Sequence, residues 1–162
     1  YAAEGGPTFK SCFDLVRRVC TRPAVDVLRL LDAAITQVII GNADAHGKNY
    51  SLLYRGNTIE LSPLYDLLCT VAYPEVSPKF AMKIAKRATL DELRSGDWDK
   101  FAADVGLGAP FVRRRIKELA GRAQDLAQSV VMELAAPGLN EAALGSFANR
   151  ISGRTQKLGL GL

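Results

Sequence analysis

The chain has 162 residues, of which 48% are hydrophobic and 23% charged, and its formal net charge is +4. This length and composition are typical of one soluble globular domain, which buries roughly 70% of the surface that its unfolded chain exposes. No apolar run is long enough to cross a bilayer, and there is no signal peptide, so we expect a cytoplasmic protein without a membrane partner. The mild positive charge is compatible with phosphate-bearing partners but does not establish one.

The three cysteines form no CxxC or Cys/His metal pattern. This predicts free thiols in a reducing compartment, and it argues against disulfides and against a zinc site. The chain opens Tyr-Ala-Ala-Glu-Gly-Gly-Pro, without methionine, which indicates a piece of a longer protein.

Two helices are predicted in the first forty residues. Thr8 can cap a helix in which apolar residues recur at intervals of three and four as far as Cys20. Pro23 suits the first turn of the second helix, and Gly41 suits its C-terminal stop. The second helix has a broad apolar surface, which predicts a central helix covered from more than one side. Its apolar residues are Val25, Leu28, Leu30, Leu31, Ala34, Ile35, Val38, Ile39 and Ile40.

A hairpin is predicted after the polar loop that follows this helix. Residues 50–54 have the pattern of a strand, residues 55–57 that of a turn, and residues 58–61 that of the return strand. We expect a helical turn at 67–72 and a short strand or extended segment at 79–84.

The last half of the chain is predicted to be helical. Thr89 to Glu92 has the capping-box pattern, a short helix is expected at 97–105, and Pro110 begins a long helix that stops at Pro137-Gly138. Asn140 caps a final helix towards Ile151, and 159–162 is expected to fray. We expect the long helix to turn these residues inward: Phe111, Ile116, Leu119, Ala120, Ala123, Leu126, Val130, Val131 and Leu134. The predicted fold class is mainly α with a small β-hairpin, in one domain over 1–162.

The polar loop concentrates side chains that can do chemistry. Asp44 and Asn49 are separated by four residues, which is the interval in the catalytic loop of protein kinases. This spacing lets one short loop direct a carboxylate at the attacking hydroxyl and an amide oxygen at a metal ion. Asp66, just after the hairpin, is placed to supply a second carboxylate. Oxygen ligands of this kind suit magnesium or manganese rather than zinc.

Phosphoryl transfer depends on positioning and charge neutralisation more than on covalent chemistry. His46 and Lys48 add positive donors for phosphate oxygens or for Asp44 itself. Taken singly, each polar residue of the loop also suits a structural role as a cap, a turn residue, a satisfied histidine or a solvated lysine. The functional interpretation rests on their occurrence together, in one loop followed by one hairpin.

Two motifs carry a family resemblance. Asn42-Ala43-Asp44-Ala45-His46-Gly47-Lys48-Asn49 and Leu61-Ser62-Pro63-Leu64-Tyr65-Asp66-Leu67-Leu68 resemble the C-terminal region of the HipA toxin kinases. The resemblance extends to Glu4-Gly5-Gly6-Pro7 and to Lys79-Phe80-Ala81-Met82-Lys83-Ile84, and it weakens after about Asp97. It implies a protein-kinase-like C-lobe of HipA type. Both departures from ordinary kinases agree with the HipA pattern: Asn-Ala stands before Asp44 instead of His-Arg, and Leu-Leu follows Asp66 instead of Phe-Gly.

The resemblance also implies an activity and a site. HipA-like proteins are serine/threonine kinases that use ATP with Mg²⁺. By this resemblance Asp44 is the catalytic base, and Asn49 and Asp66 are magnesium ligands. His46 and Lys48 bind phosphate or order the loop, and Tyr65 lies beside the nucleotide. The family's targets are aminoacyl-tRNA synthetases, and a helix-turn-helix antitoxin of HipB type restrains the kinase on DNA.

A kinase also needs a glycine-rich loop over the nucleotide and a strand-borne lysine. Neither precedes Asp44 in this sequence. We therefore expect a large lobe without its N-terminal lobe, which binds ATP weakly and transfers little phosphate by itself.

The alternative is a non-catalytic module that docks an antitoxin or nucleic acid. Binding of duplex DNA through a basic surface would weaken steeply with salt. A solvated helix face, with acidic residues nearby, accounts for the same pattern. The candidate residues are Arg113, Arg114, Arg115, Lys117 and Arg122.

Overall fold

The computed structural model of the chain describes residues 5–134 and 140–160. Within these ranges the chain forms five α-helices and one two-stranded antiparallel hairpin, so the predicted class, mainly α with a small hairpin, is confirmed. The helices are α1 (Phe9–Val19), α2 (Pro23–Ile40), α3 (Ser95–Asp104), α4 (Ala109–Leu134) and α5 (Glu141–Leu160), and the strands are β1 (Leu52–Arg55) and β2 (Thr58–Leu61). The predicted helix stop at Pro137-Gly138 and residues 161–162 of the predicted frayed tail lie outside the described residues.

The central helix is α2, as predicted. It packs against α1, β2, α4 and α5, and its residues Leu30, Leu31 and Ile35 are fully buried. The inward placement of Val25 and Leu28 was wrong, since each is 44% exposed.

The buried side chain of Asp26 explains why Val25 and Leu28 are exposed. The Asp26 carboxylate, on a residue only 2% exposed, accepts a hydrogen bond from the Leu61 backbone N–H at 3.1 Å and pairs with Arg29 at 3.0 Å. These bonds direct Asp26 towards the hairpin. Val25 and Leu28 therefore lie on the solvent-exposed side of the helix.

Helix α1 begins as predicted at Thr8. The Thr8 Oγ1 accepts from the Ser11 backbone N–H at 3.3 Å, and the Ser11 Oγ accepts from the Thr8 backbone N–H at 2.9 Å. These reciprocal bonds satisfy two backbone donors at the helix start. The inner face of α1 packs edge-to-face on Phe101 through Phe9 and Phe13, with ring centroids 5.5 and 6.2 Å apart. All three cysteines are free thiols, as predicted, and burial raises the pKa of Cys12.

The hairpin was predicted with boundary errors at both ends of its first strand, which begins at Leu52 rather than Tyr50 and includes Arg55. Leu52 pairs with Leu61 at its base, and Tyr50 lies before the strand because its N–H closes a 3-10 turn on the Gly47 carbonyl at 3.3 Å. The helical turn expected at 67–72 is confined to Thr70–Ala72.

Among the described residues, the short strand or extended segment predicted at 79–84 is reduced to a single bridge from Lys79 to Thr89, and bends follow at 81, 82 and 84. The capping box expected at Thr89 does not form. The Glu92 carboxylate accepts instead from the Ala88 backbone N–H at 2.9 Å, and the following residues form only the 3-10 turn Leu90–Glu92.

Helices α4 and α5 pack side by side along the edge of the core. Ile116 and Ala120 of α4 are buried as predicted, but Leu126, Val130 and Leu134 are 53%, 42% and 47% exposed, so their inward placement was wrong. Beyond Ala120 the helix extends past the core, and there it is flanked mainly by α5.

The last helix is longer than predicted. Asn140 caps it, since the Asn140 Oδ1 accepts from the Ala143 N–H at 3.0 Å. It continues past Ile151 to Leu160, and the expected frayed tail is helical at 159–160. Thr155 explains the extension, because it is 3% exposed and its hydroxyl bonds to Gln124 of α4. No helix in the described ranges has the length and apolarity needed to cross a membrane.

Candidate active site

The loop at 42–49 begins with a sharp reversal at Gly41. Gly41 has φ +77°, and its N–H donates to carbonyl groups in the last turn of α2. A Cβ built on it would lie 2.6 Å from Cγ2 of Val71 and 3.0 Å from Nε of Arg154. Both the backbone conformation and the close neighbours therefore require glycine where α2 ends and the loop starts.

Two buried polar side chains hold the start of the loop. The Asn42 Oδ1 accepts from the Asp44 N–H at 3.1 Å, and the Asn42 Nδ2 donates to the Asp66 carbonyl at 3.1 Å. The Thr70 hydroxyl accepts from the Ala43 N–H at 2.8 Å and donates to the Gly41 carbonyl at 3.0 Å. These bonds satisfy backbone groups that no helix or strand pairs, and they join the loop to the segment that contains Asp66.

The two predicted metal ligands are in direct contact. Asn49 is 3% exposed; its Oδ1 accepts from the His46 N–H at 2.8 Å, and its Nδ2 donates to the carboxylate of Asp66. Residues 17 positions apart in sequence thus bring an amide and a carboxylate to one place.

Asp66 is held in an uncommon backbone conformation. Its φ of 55° is in the left-handed region, which aspartate and asparagine tolerate better than most residues. Asn42 holds its carbonyl and Asn49 holds its carboxylate, so both ends of the residue are fixed by buried amides. Such a constraint on a non-glycine residue is typical of functional sites.

The remaining predicted site residues lie around this pair. Asp44 and His46 are half-buried and Lys48 is exposed. The role of His46 and Lys48 as donors to phosphate oxygens or to Asp44 itself stays a prediction. Tyr65 is 41% exposed, and its hydroxyl donates to the Lys48 carbonyl and contacts Ser51 Oγ at 2.6 Å. Tyr65 therefore fixes the far end of the loop against the hairpin.

Pro7 packs against the middle of the loop. A Cβ on Gly47 would lie 2.2 Å from Cγ of Pro7, so the chain before α1 covers the loop closely at this point.

The donor set suits a hard cation that shares its coordination with a substrate. Within the described part of the chain, no three His, Cys, Asp or Glu side chains are grouped as a metal site. The amide of Asn49 and the carboxylate of Asp66 are too few for a closed protein site. They fit magnesium, which keeps several waters and commonly binds through one or two protein oxygens together with phosphates.

Sequence reasoning predicted the contacts of two site residues incompletely or not at all. It gave Asn42 only the structural role of a turn residue and did not predict its bond to the Asp66 carbonyl. It did not identify Thr70, whose partners lie 27 and 29 residues away. No local pattern marks a contact over that distance.

The candidate basic surface on α4 is partly neutralised. Arg115 forms a two-pronged ion pair with Asp32, with N–O distances of 2.6 Å, and Arg113 pairs with Asp99. Arg114 lies over the ring of Phe111, 5.5 Å from its centroid. These interactions favour the interpretation as an ordinary helix face.

Known proteins are similar to this chain in sequence. The sequence model of the HipA-like C-terminal domain matches residues 1–127. A protein of Sinorhizobium fredii named putative kinase Y4mE is 49% identical over 162 residues, which cover 100% of this chain and 39% of that protein. The serine/threonine-protein kinase toxin HipA of Shewanella oneidensis is 28% identical over 136 residues, which cover 84% of this chain and 31% of the toxin.

A solved structure shares the fold. It is the complex of HipA, HipB and operator DNA from Shewanella oneidensis MR-1, and the match has a TM-score of 0.83 with 26% identity. The superposition covers 93% of this chain and 35% of the matched chain. The chain thus spans well under half the length of these relatives.

Proposed function

The chain belongs to the HipA-like C-terminal domain family, and on this premise we propose that it is the catalytic lobe of a serine/threonine protein kinase. The reaction is transfer of the ATP γ-phosphoryl group to a hydroxyl of a protein substrate. The observation that carries the proposal is the contact between Asn49 and Asp66 beside the loop of Asp44.

Four of the predicted site residues have a direct part in this reaction. Asp44 accepts the proton of the attacking hydroxyl. His46 and Lys48 contribute donors to phosphate oxygens, and Tyr65 borders the nucleotide.

Asn49 and Asp66 would hold Mg²⁺ through one amide and one carboxylate oxygen. When bound, the ion neutralises charge on the phosphates and orients them. The buried amides of Asn42 and Asn49 keep the ligand residue Asp66 in its left-handed conformation, so the site is arranged before nucleotide arrives.

The proposal extends to the protein from which this lobe comes. Because a solved relative is a complex with HipB and operator DNA, we propose a helix-turn-helix antitoxin of that type as a partner, with DNA reached only through it. The substrate is a protein, for which the family resemblance implies an aminoacyl-tRNA synthetase, in the cytoplasm. Residues 1–162 form one domain. A nucleotide-covering loop and its strand lysine would come from an N-terminal lobe, without which ATP binding is weak.

The test uses the complete kinase and two isosteric changes. Asp44→Asn is expected to lower the phosphorylation rate by about 10²–10⁴-fold with little change in the Mg²⁺ requirement, since it removes the general base. Asp66→Asn is expected to raise the Mg²⁺ concentration needed for half-maximal rate, because it removes the charged ligand while asparagine retains the left-handed backbone.

The matched control is Asp125→Asn, which removes an exposed carboxylate from α4. It should leave both the rate and the Mg²⁺ requirement unchanged. An Asp44→Asn enzyme with the wild-type rate would overturn the assignment of the base, and an unchanged Mg²⁺ requirement in Asp66→Asn would overturn the metal site.

The second candidate function, a docking module without catalysis, is favoured only by the exposed cations of α4. Two of these five residues, Arg113 and Arg115, are engaged in ion pairs. Binding of duplex DNA by the isolated lobe that weakens steeply with salt would revive this alternative.

A further inference from the structure

A cavity lies between the end of α2 and the last turns of α5. Its volume is about 580 Å³, and it is enclosed by the end of α2, the Leu90–Glu92 turn, the start of α3 and the last turns of α5. Binding pockets for small molecules commonly have volumes of this size. None of its lining residues belongs to the loop or to the Asn49–Asp66 pair.

Positive charge dominates the polar part of this cavity. Arg94, Arg154 and Lys157 line it, against one carboxylate, Asp91, whose side chain is 80% exposed. The described residues that line the cavity thus carry a net charge of +2, from three cations and one anion. A dianion matches that charge better than a monoanion or a neutral molecule.

Arg154 is the most deeply buried of the three cations. Its side chain is only 18% exposed, and the nearest carboxylate oxygen in the described structure, on Asp91, is 4.0 Å from its guanidinium. Burial lowers the pKa of Arg154, and the neighbouring Arg150 acts in the same direction, whereas Asp91 and Cys69 raise it. A buried guanidinium with one distant, solvated partner retains much of its desolvation cost, which a bound anion would offset.

Arg94 is fixed at the rim of the cavity. Its Nη1 donates to the carbonyl groups of Asp91 at 2.7 Å and Leu93 at 3.0 Å. These bonds hold a charged group in place without neutralising it. Ser95, the first residue of α3, lines the cavity beside it.

The rest of the wall is apolar. Trp98 is 1% exposed and Leu90 is 6% exposed, so they form a closed surface behind the charged groups. The apolar lining residues are Val38, Leu90, Leu93, Trp98 and Leu158. A ligand that fills the space must therefore present an apolar body as well as an anionic group.

We propose that this cavity binds a small organic phosphate, with its phosphoryl group at Arg154 and Lys157 and its apolar part against Leu90 and Leu158. The site goes beyond the proposed kinase reaction and uses none of its residues. It is nevertheless adjacent to the loop, because Nε of Arg154 lies 3.0 Å from the position that a Cβ on Gly41 would occupy.

Phenyl phosphate is the probe, added to the ¹⁵N-labelled chain and followed by two-dimensional NMR. Saturable shifts are expected at the backbone amides of Arg94, Ser95 and Lys157, with a smaller shift at Gly41. Lys157→Gln should weaken binding about tenfold, which is the usual effect of losing one charge-assisted contact. Lys117→Gln, which removes the same charge from an exposed position on α4 outside the cavity, should leave the affinity unchanged.

Several outcomes would overturn the proposal. They are equal affinities of wild type and Lys157→Gln, equal affinities for phenol and phenyl phosphate, and no saturable shift at the cavity residues while the chain stays folded. Shifts confined to residues 42–49 would place the phosphate in the candidate active site instead. Arg154→Gln should abolish binding, and if that variant does not fold, Lys157→Gln and Arg94→Gln decide the question.

Discussion

A single residue, Asn42, connects the two parts of the candidate site. Its amide accepts from the backbone of Asp44 and donates to the backbone of Asp66, both at 3.1 Å, while the residue is only 2% exposed. One side chain thus sets the separation between the proposed base and a proposed metal ligand, without being placed to touch either substrate.

Replacing this amide should affect both stability and catalysis. Asn42→Ala leaves a buried N–H and a buried carbonyl without their partners, so we expect a loss of about 1–3 kcal/mol in the free energy of unfolding, measured in urea. In the complete kinase the rate should fall while the pH dependence set by Asp44 is retained, as expected of a positioning residue. The matched change Asn57→Ala, at an exposed turn, should cost about 0.5 kcal/mol or less. Equal costs for the two variants would contradict this account of Asn42.

The site residues differ in how far sequence alone predicts them. Asp44 and Asn49 were proposed from a short spacing and Asp66 from its place just after the hairpin, and their roles stay predictions. The amide clamp of Asn42 and the hydroxyl bridge of Thr70 depend on the chain returning to the loop after more than twenty residues. Local spacing contains no information about that return.

At the level of elements, the glycine that ends α2 and the glycine inside α4 differ in whether the structure requires them. Gly41 ends α2 at φ +77° and is crowded by Val71 and Arg154, whereas Gly121 lies inside α4 with nothing within 4 Å of an added Cβ.

The two corresponding alanine variants should therefore differ in sign. Gly121→Ala is expected to stabilise the protein by about 0.5–1 kcal/mol, because it lowers the backbone entropy of the unfolded chain without a clash. Gly41→Ala is expected to destabilise it, because both the backbone and the neighbours must shift. Thermal unfolding of the two variants beside wild type tests this, and a stabilised Gly41→Ala protein would refute the stated constraint on the helix end.

The start of α3 depends on an ion pair that acid should break. The Asp97 carboxylate, on a side chain 2% exposed, accepts from Arg87 Nε at 2.7 Å and from the Arg94 N–H at 3.0 Å. The Arg87 guanidinium holds the pKa of Asp97 below its ordinary value of 3.8. A lowered pKa in the folded state means that this stabilisation is complete above the ordinary value and is lost as the pH falls through the folded value.

Asp97→Asn should therefore destabilise the protein at neutral pH, and the difference from wild type should shrink as the pH falls below 3.8. Urea unfolding of both proteins across this range measures the effect. Asp125→Asn, at an exposed position, serves as the control and should show no such trend. A difference between Asp97→Asn and wild type that stays constant with pH would argue against the ion pair.

The ends of helices were predicted correctly where a capping or helix-breaking residue marks them in the sequence. Thr8, Pro23 and Gly41 fix the ends of α1 and α2 through local backbone chemistry. The length of α5 and the exposure of Leu126 were predicted wrongly, because a period of three to four residues does not reveal where a packing partner stops. Only the position of the neighbouring helix decides that.

For the molecule as a whole, the core lies on one side of the long helix. Ile116 is fully buried among residues of the main core, while Leu126, further along α4, is 53% exposed.

Truncation of these two side chains should lower the free energy of unfolding by different amounts. Ile116→Ala is expected to cost about 2–5 kcal/mol of unfolding free energy, since it leaves a cavity in close packing. Leu126→Ala should cost about 1 kcal/mol or less, because its side chain already contacts solvent. Denaturant unfolding of both variants measures these costs. A large cost at Leu126 would mean that the far half of α4 is part of the core after all.

The overall class was accessible from the sequence for a physical reason. Hydrophobic periods, caps and turn residues are local signals, and they suffice to predict a mainly helical chain with one hairpin. What the sequence could not supply was the support of the polar loop, which α5 and residues 66–81 provide from far along the chain.

The supporting bonds of the loop have a spectroscopic consequence. The backbone N–H groups of Ala43, Asp44 and His46 donate to side-chain oxygens of Thr70, Asn42 and Asn49, at 2.8, 3.1 and 2.8 Å. Their hydrogen exchange with deuterated solvent is therefore governed by three side chains rather than by a helix or a sheet. If these three amides exchange while those of α2 remain protected, the loop opens as its own unit, and the time for which it remains assembled can be measured before any nucleotide is added.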